Sequence, residues 1–193
     1  MKKVRLDIMA LSHSVTQSHN YAVVLGEENG KRSGKTTLAT EISQMYNFRL
    51  VPEIAREYLN EIKLDYTYHD VRQIGLLQLK AEQCAINEGQ SVVFDTDLLT
   101  ILIWQVEKYG HYDDDLYQSW LVLPIEIYFL CAPDLPWEPD DLRENPEDRW
   151  RLYGIYREKM LNHKKPFIEL TGNMNNRISS VNHFFKSDYN KEN

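Results

Sequence analysis

Residues 21–41 read YAVVLGEENGKRSGKTTLATE, and this stretch decides the fold. An apolar run from Tyr21 to Leu25 meets Gly26. Gly30, Lys31, Arg32 and Ser33 follow in a loop, and Gly34, Lys35, Thr36 and Thr37 lead into helix-forming residues. Strand, glycine-bearing loop and helix N-terminus, in that order, make a phosphate cradle. Backbone N–H groups turn into the loop, the helix dipole favours an anion, and Lys35 adds a full positive charge. The loop needs glycine because the chain must curl around the anion in conformations that a Cβ would hinder. Gly30, Ser33, Gly34, Lys35, Thr36 and Thr37 are therefore the candidate nucleotide ligands, with Thr36 at the position that takes Mg²⁺. The P-loop pattern asks for glycine five residues before Gly34 and finds Asn29; Gly26 stands eight residues before it, so the loop reads as one with about three residues added. The plain alternative is a surface turn in which Gly-Lys-Thr falls by chance.

Around this stretch the composition is that of a globular domain. The chain has 193 residues, 42% hydrophobic and 26% charged, with a net charge of −7. That length fits one domain with a full core. No basic stripe of the kind a general nucleic-acid binder carries is visible, and no apolar run approaches 18 residues. The N-terminus lacks a signal-peptide pattern, so the expected location is the cytoplasm. Cys84 and Cys131 lie in apolar stretches and read as reduced core thiols. The six histidines are scattered without ligand spacing, which argues against a structural metal.

Outward from the loop, strands alternate with helices. A helix from Thr36 to Tyr46 places Leu38, Ile42 and Met45 on one face, and Phe48 to Pro52 is a second short strand. It ends on Glu53-Ile54-Ala55-Arg56, and ligand residues collect at the carboxyl ends of strands in open α/β sheets. An exposed helix start is the bland reading for Glu53. Thr67 and Asp70 have capping-box spacing and open a long helix to Gly89, with Ile74, Leu77, Ala81 and Cys84 as its core stripe. Ser91 to Phe94 is a buried strand delivering Asp95-Thr96-Asp97 to the sheet edge, where a carboxylate serves Mg²⁺; Asp97 also reads as a helix N-cap. Further on come helices over 98–109 and from Asp113 to before Pro124, a strand Ile125 to Cys131, a helix Arg149 to Asn162, a strand Phe167 to Leu170, and a last helix Arg177 to Phe185. The expected fold is α/β, a P-loop NTPase of nucleoside-kinase type, with a mostly parallel five-stranded sheet covered on both faces. Residues 1–20 form an extension of no assigned role, 21–186 the domain, and 187–193 a disordered tail.

Thr96, not a glutamate, follows Asp95, and no Asn-Lys-x-Asp guanine motif is present. What remains is a small kinase. Such an enzyme needs ATP, Mg²⁺, a base for the acceptor hydroxyl and arginines to neutralise the transferring group. Glu53 or Asp97 is the base, and Arg143 and Arg149 suit a closing lid. Trp137, between two prolines in an acidic loop, is placed to pack on a flat ligand ring. Lys35→Ala is expected to stop phosphoryl transfer and keep the fold.

VPEIAREYL, FDTDLLT, DLPWEPDDLRENPEDR and ELTGN…R, in this order, resemble the ribosylnicotinamide kinase domain of the bacterial bifunctional NAD-biosynthesis regulator and its stand-alone relatives. The resemblance runs from about Tyr21 to Phe185. It implies phosphorylation of the 5′-hydroxyl of nicotinamide riboside by ATP with Mg²⁺. Lys35 and Thr36 would hold phosphate and metal, Asp95 and Asp97 would serve metal and substrate, Glu53 and Arg56 would line the acceptor pocket, and Arg143 and Arg149 would belong to the lid. The partner is then a small nucleoside, with neither nucleic acid nor membrane. Two alternatives stay open: another small-molecule kinase or NTPase, and a non-catalytic nucleotide sensor built on the lengthened loop.

Overall fold

The apolar run before the glycine loop becomes the central strand of the sheet. The computed structural model describes residues 18–25, 34–62, 66–135 and 148–189. In chain order the elements are β1 (Asn20–Leu25), α1 (Lys35–Tyr46), β2 (Arg49–Val51), α2 (Ile54–Glu61), α3 (Tyr68–Asn87), β3 (Val92–Asp95), α4 (Leu98–Tyr109), α5 (Asp114–Val122), β4 (Ile127–Cys131), α6 (Arg149–Asn162), β5 (Phe167–Leu170) and α7 (Met174–Tyr189). The strands form one parallel sheet in the order β2-β3-β1-β4-β5.

Because successive strand residues face opposite sides, β1 feeds two cores. Tyr21 and Val23 pack with Leu38 and Ile42 of α1 and Val181 and Phe185 of α7. Ala22 and Val24 pack on the other face with Leu98 and Leu102 of α4, Trp120 of α5 and Tyr156 and Met160 of α6. A third cluster joins α2, α3 and α4 through Leu59, Ile74, Ile101 and Trp104. Asp70 accepts from the Thr67 backbone N–H at 2.8 Å, so the capping-box spacing does start α3. The expected fold class is the observed one, with every strand pair parallel.

Several local expectations are corrected. Met45 and Leu77 are each 43% exposed, and Cys84 is exposed while Cys131 is buried. The buried face of α3 carries Val71, Ile74, Gly75, Gln78, Glu82 and Ala85. Counting apolar residues missed it because two of its members are polar. α7 begins at Met174, before Arg177, and continues to Tyr189, into the stretch expected as a tail. At the other end Asn20 already pairs with Val92, and the His19 backbone N–H donates to Ser91 Oγ at 3.2 Å. No helix among the described residues is long and apolar enough to cross a membrane.

Candidate active site

The chain turns into α1 at Gly34, whose φ of +83° lies in the left-handed region, where glycine alone pays no Cβ penalty. A Cβ there would stand 2.8 Å from Met174 Cε and 3.1 Å from Leu135 Cδ1, so these side-chain ends would have to shift to admit one. The Leu38 N–H donates to the Gly34 carbonyl at 2.8 Å. Lys35, Thr36 and Thr37 therefore have no acceptor for their N–H groups within the helix. The first turn carries no acid to neutralise them, and Thr36 and Thr37 are exposed. This corner has the donors and the dipole of an anion site.

Lys35 is only 8% exposed. Its Nζ lies 3.0 Å from Asp95 Oδ1 and 3.6 Å from Glu53 Oε2, and it donates to the Thr96 hydroxyl. The Asp95 contact is an ion pair by distance without hydrogen-bond alignment, since Asp95 Oδ1 has no hydrogen-bond partner among the described residues. Burial opposes the charge on Lys35, but Glu53 and Asp95 outweigh it and hold the pKa above the ordinary value. Glu53 sits at the N-cap position of α2 without capping it; its side chain is 10% exposed and turned to Lys35. The bland reading of an exposed helix start does not hold for Glu53. Two neighbouring strands thus each deliver a carboxylate from their C-terminal ends to the ammonium that begins α1.

Asp97 goes elsewhere. Thr96 has a φ of +80°, an outlier for a β-branched residue, and the chain turns there. Asp97 is 0% exposed, and no ion pair joins it to Lys35 among the described residues. It occupies the N-cap position of α4 without a side-chain cap. Among the described residues, neither of its oxygens makes a well-formed hydrogen bond. Burial pushes its carboxyl up to about 6, against the Tyr128 hydroxyl, the Leu99 and Thr100 N–H groups and Lys165, all of which favour the charge. Glu82, also 0% exposed, is raised well above the usual range by burial and then by Asp97. The structure therefore separates the two acids that the sequence offers as a base.

Arg56 is half-buried on α2. Arg149 donates to the carbonyls of Pro133 at 2.6 Å and Leu135 at 3.0 Å, bracing the segment that packs on Gly34. Gly30, Ser33, Trp137 and Arg143 lie outside the described residues. Two further groups complete the site: Gln78, which gave no sequence signal, and Arg177, the arginine of the ELTGN…R block, which the sequence left without a role. Gln78 lies buried behind Glu53 and Thr96. Arg177 is 0% exposed and bonds the Ala132 carbonyl at 2.7 Å, Asp134 Oδ1 at 2.6 Å and the Gly172 carbonyl at 3.1 Å. Arg177 thus ties the ends of β4 and β5 together beneath Gly34.

The sequence profile of the AAA domain family matches residues 30–177. No curated protein matches the chain in sequence. Among solved structures, the NadR protein in complex with NR is similar with a TM-score of 0.68 at 16% identity, over 83% of this chain and 47% of that one. Deoxyadenosine kinase from M. mycoides with bound dCTP follows at a TM-score of 0.57 and 16% identity, over 87% and 99% of the two chains. Thymidylate kinase from Ehrlichia chaffeensis gives a TM-score of 0.55 at 12% identity, over 87% and 99%. The chain spans about half the length of the NadR chains it matches. At these identities the likeness is one of fold, and it agrees with the resemblance that the Glu-x-x-Arg-Glu-Tyr and Asp-Thr-Asp blocks carry.

Proposed function

The chain belongs to the AAA domain family, and from that premise we propose that it is a small kinase. It transfers the γ-phosphoryl group of ATP to the 5′-hydroxyl of a nucleoside, with nicotinamide riboside the first acceptor to test. One observation carries the reading: Glu53 and Asp95, from the ends of two adjacent strands, converge on Lys35 at the mouth of α1. The N–H groups of Lys35, Thr36 and Thr37, which have no acceptor within α1, bind phosphate oxygens, and the Lys35 ammonium stabilises charge on the transferring group. The exposed Thr36 hydroxyl and Asp95 Oδ1, which faces Lys35 without an aligned hydrogen bond, are hard oxygen donors that fit Mg²⁺. When bound, that ion neutralises phosphate charge. Glu53 takes the proton of the acceptor hydroxyl as the new P–O bond forms and the bond to ADP breaks. Asp97, buried away from Lys35, is not the base. Arg56 serves the acceptor pocket. Arg149, at the start of α6, serves the lid together with Arg143, and Trp137 packs on the acceptor ring. Such an enzyme works in cytoplasmic nucleoside salvage, with the kinase domain running from β1 at Asn20 to the end of α7 at Tyr189.

A second reading has one observation in its favour. Lys35 already has its charge matched by its own acids, as a non-catalytic nucleotide sensor would tolerate. The test mixes the protein with ATP and Mg²⁺ and offers nicotinamide riboside, deoxyadenosine or thymidylate, following ADP and the mass of the acceptor. Acceptor-dependent ADP and a monophosphate of one of the two nucleosides are expected; turnover of thymidylate alone, which has no free 5′-hydroxyl, would overturn the choice of acceptor. ATP binding without turnover on any acceptor would assign the sensor reading, and absence of ATP binding would overturn both.

A further inference from the structure

The two turns that aim acids at Lys35 are fastened to one side chain of α3. α3 packs against α2, α4, β2 and β3, and Gln78 on its inner face is 1% exposed. The Gln78 carbonyl oxygen accepts from the backbone N–H of Ile54 at 3.4 Å, the residue after Glu53. Its amide nitrogen donates to the Thr96 carbonyl at 3.3 Å and to Glu82 Oε1 at 3.0 Å. Thr96 is the residue after Asp95. With one donor facing the oxygen and two acceptors facing the nitrogen, a single orientation of the carboxamide makes every bond. Glu82, one turn further along α3, fixes that orientation.

Thr96 needs such a restraint. A threonine at φ +80° persists only where its surroundings over-determine it. Its N–H donates to the Val23 carbonyl at 3.3 Å, its hydroxyl accepts from Lys35, and its carbonyl accepts from Gln78. Lys35 also meets the Glu53 side chain, but of the three tethers Gln78 is the one that bonds the backbone of both turns.

We propose that Gln78 is a positioning residue for the phosphoryl transfer: it holds the β2–α2 and β3–α4 turns in register, so that Glu53 and Asp95 meet Lys35, and Glu82 orients its amide. Its role in turnover rests on the kinase reading, but the spacing of the acids about Lys35 does not. Small displacements matter here, because a misplacement of about 1 Å can cost on the order of 100-fold in rate.

The test compares wild type, Gln78→Met, Glu82→Gln and Glu82→Met. Steady-state kinetics, the Lys35–Glu53 and Lys35–Asp95 distances in crystal structures and a thermal melt are read for each. Gln78→Met should lower kcat about 10- to 100-fold and leave the KM for ATP within roughly threefold, too small a change to signal a lost phosphate contact. It should also lengthen at least one of the two distances, because the turns that carry Glu53 and Asp95 are no longer fastened together. Glu82→Gln keeps an acceptor for Gln78 and should match wild type in kinetics and spacing; Glu82→Met should follow Gln78→Met. If Gln78→Met does not fold, Gln78→Glu retains the shape and the Ile54 bond, keeps at most one donated bond, and should change kcat and the spacing in the same direction. Unchanged kcat or unchanged spacing would overturn the proposal. So would a large rise in nucleoside KM at constant kcat, which would make Gln78 a direct ligand of the acceptor. If wild type turns over no acceptor, the kinase reading falls, and the spacing alone decides the positioning role.

Discussion

Removing the Lys35 ammonium takes away more than a phosphate contact. Asp95 and Glu53 face it with side chains 3% and 10% exposed, and both would be left buried without a counter-charge. Breaking a buried pair from one side costs about 3–5 kcal/mol. Lys35→Ala should therefore lower stability by that order, contrary to the expectation that it leaves the fold intact. Lys35→Ala with Asp95→Asn should recover part of the loss, since the amide needs no counter-charge. Urea unfolding of the two variants checks this, and a Lys35→Ala midpoint equal to wild type would show that the pair contributes nothing to the fold. The identities of Lys35, Thr36, Glu53 and Asp95 were legible because strand ends and a glycine-bearing loop can be placed from local sequence. Their mutual satisfaction was not, because it depends on the register of β2 against β3. The fate of Asp97 was hidden for a related reason. Residues two apart share a face only while the strand continues, and Thr96 breaks it.

At the scale of elements, local signals placed the helices and strands well and misread one helix face. Apolar spacing on α3 pointed to Leu77 and Cys84, whereas the face that packs inward includes Gly75, Gln78 and Glu82. A buried polar residue has no hydropathy signature, and a glycine on a helix face looks like a weakness until its neighbours are known. At Gly75 a Cβ would stand 2.5 Å from Leu116 Cδ1 and 3.2 Å from Ile101 Cγ2. α3 thus approaches α4 and α5 closely at this point, and Leu116 is 0% exposed with little room to retreat. Gly154, in the middle of α6, is exposed and has nothing within 4 Å of such a Cβ. Both positions gain about 1 kcal/mol of helix propensity on substitution by alanine. Overpacking at a filled site costs about 1–3 kcal/mol, so the two changes should have opposite signs. Gly75→Ala should lower the melting temperature and Gly154→Ala should raise it by a few degrees. A rise for Gly75→Ala as well would show that the α3–α5 contact is not tight.

For the molecule as a whole, alternating strands and helices announced a parallel sheet, but the order β2-β3-β1-β4-β5 is set by crossovers that no local pattern records. That order puts β1 between β3 and β4, and so encloses Asp97, from the end of β3, beside Tyr128 of β4 and Glu82 of α3. The enclosure gives global stability a pH dependence whose sign follows from burial. Glu82 has an ordinary value of 4.5 and is held well above it, by burial first and then by Asp97. As pH rises past 4.5 the unfolded chain releases this proton while the folded protein keeps it. Stability then falls by about 1.4 kcal/mol per pH unit for each proton so retained. The stabilising proton is fully present in both states below 4.5, and its contribution is lost as pH climbs through the folded value. Asp97 adds the same trend between 3.8 and about 6. Asp70 and Glu169 act in the opposite sense. Thr67 and Tyr153 hold them below their ordinary values, so what they add is lost as pH falls, below the window of interest. Glu82→Gln carries no titrating proton and keeps an acceptor for Gln78. Its advantage over wild type should therefore widen from pH 5 to pH 7, while the histidines, common to both proteins, cancel in the difference. Urea midpoints at pH 5, 6 and 7 give that difference directly. Parallel curves would mean that Glu82 ionises alike in the folded and unfolded chains, and the enclosed acids would then have to be stabilised as a charged pair by Tyr128 and Lys165.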